Sequence, residues 1–180
     1  SSILPGNTTA AYNLTVDLAQ DASHVVSIDE GASAASAAST INAVLQNTGI
    51  RADATTRVEL FEFQNNGVVT FDLEAANRLP IEISADVTPT NLTNLAIALN
   101  KVAADTGVSA VTSPDNQRVI LVSANGDDIS ISNLSNTSPL FSGRMVDDDG
   151  VALSTPVGTV SVSGAFKDPL TTTNAVTDVL

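Results

Sequence analysis

The 180-residue chain has no cysteine and no tryptophan, only one methionine and one tyrosine, and aromatics make up 3% of it. Without cysteine, disulfides are excluded and cysteine usage leaves the redox compartment open. With so few aromatics, walls for a deep ligand pocket are scarce. The apolar content, 43% of the residues, is largely Ala and Val. Such small and branched residues suit thin sheets packed on slender helices. No apolar run approaches the roughly 18 residues that span a bilayer. Positive charge is scarce as well: seven Lys and Arg face 20 Asp and Glu, for a formal charge of −13. Phosphate neutralisation needs clustered cations, and these seven are scattered singly, so nucleic acid and anionic membrane surfaces are excluded as partners. Acidity of this size keeps a protein soluble and stops neighbouring copies from sticking non-specifically. The start, Ser1-Ser2-Ile3-Leu4-Pro5-Gly6, has no basic n-region and no initiator Met. It is not a signal peptide, and it reads as a cut inside a longer chain.

What the chain does contain is a repeat. Ile41-Asn42-Ala43-Val44-Leu45-Gln46-Asn47-Thr48-Gly49-Ile50 aligns with Leu99-Asn100-Lys101-Val102-Ala103-Ala104-Asp105-Thr106-Gly107-Val108 at a constant offset of 58 residues. Asn, Val, Thr and Gly recur at identical places. Beyond the glycines, Arg57-Val58-Glu59-Leu60 pairs with Arg118-Val119-Ile120-Leu121 after a short insertion. Each copy carries a helical stripe: Ala34, Ala37, Ala38, Ile41, Val44 and Leu45 in the first, and Leu92, Leu95, Ala96, Leu99, Val102 and Ala103 in the second. Thr88 or Thr90 is the candidate N-cap of the second helix, with Pro89 in its first turn. Gly49 and Gly107 stand where a helix would end in a left-handed residue.

Strand patterning fills the rest. Tyr12–Leu18 alternates with Leu14, Val16 and Leu18 on one face, and His24–Ile28 leads into the first helix. Strands are expected over 50–55 and 57–63, and Asn65-Asn66-Gly67 is a hairpin signal that should return 68–73 onto 58–63. Residues 79–84 precede the second helix. Residues 108–111 and 119–123 form a hairpin across Pro114-Asp115-Asn116, and Asn125-Gly126-Asp127 turns into 129–132. Past Asn133 the helical pattern stops. Short strands are expected at 141–146, 151–153 and 159–162, and a linker from Thr171 onward. The expected fold is therefore α+β, antiparallel strands and hairpins with one helix packed on each of two repeated β-α-β units, plus a C-terminal all-β segment. The expected divisions are 1–65, 66–135 and 136–180.

A strand, then a helix ending in Ile/Leu-Asn with Thr-Gly-Val/Ile a few residues on, resembles the "IN" motif of bacterial flagellins. Its usual continuation, a hairpin into L-x-S-x-x-G-x-D-I, is similar to Leu121-Val122-Ser123-Ala124-Asn125-Gly126-Asp127-Asp128-Ile129. The second copy matches across Leu79–Ser132. The first copy is looser, with a shorter hairpin and no Ser-Ala-Asn-Gly-Asp tail. The resemblance implies a variable, surface-facing outer domain of the flagellar filament, extracellular and serving motility. Its partners would be other flagellin subunits, polymerised through long terminal helices that this sequence does not contain. Flagellar cap and hook-associated proteins carry the same motif. An extracellular adhesin module that binds carbohydrate or host protein is the rival from another class.

Chemistry is thinly represented. His24 is the only histidine, in an alternating stretch, and no Gly-x-Ser-x-Gly elbow occurs. No catalytic, cofactor-binding or metal residue is assigned, and no enzyme activity is expected. Asp127-Asp128 and Asp147-Asp148-Asp149-Gly150 could offer oxygen ligands to calcium, but their spacing fits no EF-hand and Asp suits turns in any case. Asn7, Asn13, Asn91, Asn133 and Asn136 each open an Asn-x-Ser/Thr triplet.

Overall fold

The structure, a computed structural model, describes residues 9–18, 23–77 and 79–137, and the backbone of 144–146, 159–163 and 171–172. Strand Tyr12–Val16 (β1) pairs antiparallel with His24–Ile28 (β2), setting Tyr12 opposite Ile28 and Val16 opposite His24. Period-two alternation sends Tyr12, Leu14, Val16, Val26 and Ile28 inward. The helix Ala34–Val44 (α1) follows, started by Ser33, whose Oγ accepts from the Ser36 N–H at 3.1 Å. Its buried stripe is Ala34, Ala37, Ala38 and Ile41, continued by Leu45, whereas Val44 is 38% exposed. Three alanines on that face let the helix lie close to the sheet.

The two strands expected over 50–55 and 57–63 are a single strand, Arg51–Phe61 (β3). No Gly or Pro interrupts it, and the β-branched pair Thr55-Thr56 carries the alternation across the join. Its buried positions run Ala52, Ala54, Thr56, Val58 and Leu60. Residues 51–55 pair with Thr159–Ser163 (β10), and residues 56–60 with Val119–Ser123 (β7). Arg144–Val146 (β9) lies along residues 59–61. The strand thus serves two hydrophobic cores. Ala52 and Ala54 belong to the first, drawn from residues 12–54, and Val58 and Leu60 to the second, drawn from residues 58–129.

The hairpin expected at Asn65-Asn66-Gly67 does not form. Gly67–Glu74 (β4) pairs with Ile81–Val87 (β5) and Ser130–Asn136 (β8), not with β3. At Glu59 and Leu60 both edges of β3 are already taken, by β7 and β9. Glu62, at φ +59°, turns the chain away toward the opposing sheet. Thr93–Lys101 (α2) also starts later than the N-cap expectation. Thr88 and Asn91 exchange backbone hydrogen bonds of 3.2 and 3.1 Å around Pro89, forming a tight turn, and Asn91 Oδ1 then accepts from the Thr93 N–H at 2.9 Å. Neither Thr88 nor Thr90 caps the helix.

After a short helical turn, Ala103–Thr106 (α3), Gly107 closes in the left-handed region at φ +70°, as its spacing predicts. Gly49 also has positive φ, +80°, but α1 ends five residues earlier and a turn containing left-handed Asn47 intervenes. Val108–Thr112 (β6) and β7 form the expected hairpin, with Val108 opposite Ser123 and Thr112 opposite Val119. Thr171–Thr172 (β11) pairs with β1, so these two residues are strand rather than linker. That pairing supplies β1 with its second edge partner. The strand expected at 151–153 lies outside the described residues.

The architecture is α+β with antiparallel sheets throughout. One connectivity occurs twice: β11-β1-β2 has the order of β8-β4-β5, and the β3/β10 pair corresponds to β6/β7. The hairpin partner and third strand that the first copy lacks locally are supplied by β10 and β11, which follow the second copy in the chain.

Candidate functional surfaces

The repeat is held by a side-chain device at matched positions. Asn42 on α1 donates from Nδ2 to Ala52 O at 2.7 Å and accepts at Oδ1 from Ala52 N at 2.8 Å. Asn100 on α2 does the same to Ala110, at 2.7 and 2.9 Å. A carboxamide presents one donor and one acceptor at the spacing of a residue's own N–H and C=O. It therefore bonds the exposed edge of one strand residue as a neighbouring strand would. A threonine follows each asparagine by six positions. Thr48 Oγ1 donates to Leu45 O at 2.6 Å and accepts from Ile50 N at 3.2 Å. Thr106 Oγ1 repeats this with Val102 O at 3.0 Å and Val108 N at 3.2 Å. The Asn and Thr identities were visible in the repeat, but a role for them was not, because that role needs the strand ten residues downstream.

The two copies meet at the turn after β7. Gly126 N–H bonds to Ser123 O at 3.2 Å, and Gly126 O accepts from the Ala35 N–H at 2.9 Å, satisfying a donor in the first turn of α1. A Cβ on Gly126 would stand 2.4 Å from the Ala54 Cβ and 2.9 Å from Ala35 N, and its φ is +79°. Only glycine fits there.

The outer face of β3 and β7 carries the best-organised charge. Arg57 reaches Glu59 at 2.6 Å and Arg118 reaches it at 2.9 Å, while the Arg118 guanidinium lies 4.8 Å from the centre of the Phe61 ring. Burial alone would push the Glu59 carboxyl up. Hydrogen bonds and charge from Arg118 and Arg57 more than offset it, and the pKa is lowered.

The residues singled out for chemistry are dispersed. His24 opens β2 opposite Val16, half-buried. Asp127 is tied into its turn, its N–H donating to Ser123 Oγ at 3.2 Å and its carboxylate accepting from that hydroxyl at 3.5 Å. Residues 147–150 lie outside the described part. Among the described residues no three His, Cys, Asp or Glu side chains gather where a metal could sit. Tyr12, Phe63 and Phe71 are buried in the cores and Phe61 faces Arg118, so none of these four rings offers an open face to a sugar. Of the glycosylation triplets, Asn13 lies mid-strand opposite Ser27, Asn91 closes its turn, Asn133 donates to Asp72 at 2.7 Å, and Asn136 pairs opposite Val69. Asn7 is outside the described residues.

No protein-family model matches the chain, and no curated protein matches it. Among solved structures, the flagellar cap protein FliD of Helicobacter pylori is similar over 71% of this chain at 11% identity and a TM-score of 0.32. This chain covers 51% of that one, about half its length. The D2-D3 domains of the Escherichia coli flagellar cap protein FliD are similar over 72% of this chain and 96% of theirs, at 11% identity and a TM-score of 0.26.

Proposed function

We propose that this chain is a structural, surface-exposed outer domain of a flagellin, part of the bacterial flagellar filament and without enzymatic activity. The observation that carries the reading is the doubled Ile/Leu-Asn…Thr-Gly motif. Both of its asparagines make the same pair of bonds to a strand ten residues on. The motif is thus an architectural device and holds no reactive group. The acidic composition, with a charge of −13, suits a part displayed at high density, where it sets the charge and shape of the filament surface. Its neighbours would be other flagellin subunits, joined through regions outside this sequence.

Immunogold electron microscopy of source cells with antibody against this chain tests the reading. Label along whole filaments is the expected result. Label confined to filament tips or to the hook junction would move the domain to a cap or hook-associated protein. Label on the cell body with bare flagella would replace the proposal with an adhesin. Deleting the domain from its parent is expected to leave filaments that still polymerise.

A further inference from the structure

The two copies close in different ways. In the second, β6 passes to β7 and β7 to β8 through six residues each, 113–118 and 124–129, so its last strands arrive at once. In the first, residues 51–55 of β3 pair with β10 alone among the described strands, while Asn42 takes up the N–H and C=O of Ala52. Strand β1 has β2 on one edge and β11 on the other. Both late strands come from beyond the whole second copy, since β3 ends at Phe61 and β10 begins at Thr159. Until they arrive, the edges of β1 and β3 present unpaired backbone N–H and C=O groups, a template for strand addition.

A strand that arrives late is not tied to its own chain. The ladder from Thr55↔Thr159 to Arg51↔Ser163 and the pair Leu14↔Thr172 join backbone to backbone, and a second copy carries the same backbone. Closure by its own strands or by a neighbour's forms the same bonds in the same register, and only the connection differs. The twelve residues between Val146 and Thr159 reach at most roughly 45 Å when extended, enough to cross to a copy lying alongside. The second copy has no such freedom. Its 113–118 connection is a bonded turn, with the Ser113 and Asn116 N–H groups donating to the Arg118 and Ser113 carbonyls.

We propose that the first copy is a strand-acceptor site whose partner is the segment 159–172 of a second copy of this chain. The exchange is reciprocal, each chain closing the other's first core, and gives a closed two-fold dimer. With equal bonds on both sides, concentration sets the outcome. A chain's own strands win in dilute solution, and exchange competes once neighbours approach the roughly millimolar effective concentration of a tethered strand. The inference stands on topology and holds whether or not the flagellar reading does.

The absence of cysteine makes the exchange directly readable on the full chain. Thr55→Cys and Thr159→Cys are made in separate chains, one of them isotope-labelled so that mass tells a heterodimer from a homodimer. Opposed residues of an antiparallel ladder stand about 4.5–5.5 Å apart at Cα, within disulfide reach. One thiol per chain forbids a bond in cis. Unfolded together in urea, refolded at about 1 mM and oxidised in glutathione buffer, the pair is expected to give at least ~10-fold more heterodimer than a T55C and S163C control. Ser163 stands opposite Arg51, about 13 Å along the strand from Thr55 and out of reach. A yield no higher than the control's would overturn the inference. If either variant fails to regain the wild-type circular dichroism, D53C with S161C, opposed in the same ladder, is read in its place. Wild type refolded at about 1 mM gives an independent reading, a dimer that persists on dilution because exchange back requires the first core to open. Monomer alone, or a dimer that dissociates at once on dilution, would also overturn it.

Discussion

Asn100 shows how much one side chain can carry. Its amide bonds both backbone groups of Ala110, so Asn100→Ala leaves a strand N–H and C=O without their partner at a partly buried site. Each orphaned group costs about 1–3 kcal/mol, and a loss of roughly 2–4 kcal/mol in urea denaturation is expected, with a smaller loss for Asn100→Gln. Asn42→Ala should do the same to the first copy. Glu59 works through charge. Its folded pKa lies below the ordinary 4.5, so its ion pairs stabilise the fold fully above that value. The contribution fades as pH falls through the lower folded pKa, because protonation ends the pairing. Glu59→Gln should therefore flatten the fall in stability as the pH drops below the ordinary 4.5, measured as urea midpoints on both proteins.

Among the elements, β3 is the one on which both cores depend. Thr56 sits fully buried where its partner changes from β10 to β7, and its hydroxyl has no hydrogen-bond partner among the described residues. Thr56→Val keeps the branched shape and removes the unsatisfied oxygen, so a gain of about 1 kcal/mol is expected in a thermal or urea melt. Gly126→Ala acts in the opposite sense at the joint between copies. It drives a methyl into Ala54 and strains a positive φ, and should cost roughly 1–3 kcal/mol. Much at this scale was legible. Both helical stripes, the left-handed Gly107, the β6/β7 hairpin and the α+β class follow from spacing and turn chemistry. What escaped was pairing at a distance. The Asn65-Asn66-Gly67 signal is local, whereas the choice of β4's partner is made by which edges of β3 are already occupied. The N-cap was misplaced because Pro89 and two flanking threonines serve a tight turn equally well, and nothing local tells that Leu92 is the N-cap, with Asn91 Oδ1 accepting from the Thr93 N–H. The arginine–glutamate face was hidden because its members lie 59 residues apart, at Glu59 and Arg118.

For the whole molecule, the members of the second core among the described residues all come from 58–129, while the first is closed by strands that come after it in the chain. Ending the chain at Thr137 is therefore expected to spare the second core and to unfold the first. Hydrogen exchange read by mass spectrometry should show protection kept in 58–129 and lost in 12–54; loss of both would mean that the cores fold only together. Because β11 lies antiparallel against β1, with Leu14 opposite Thr172, the two ends of the segment 14–172 lie on neighbouring strands about 5 Å apart. A host chain interrupted by such a body would keep its own two cut ends almost touching. The closure entropy that a long insertion imposes on its host would be set by that narrow doorway, not by the number of residues beyond it.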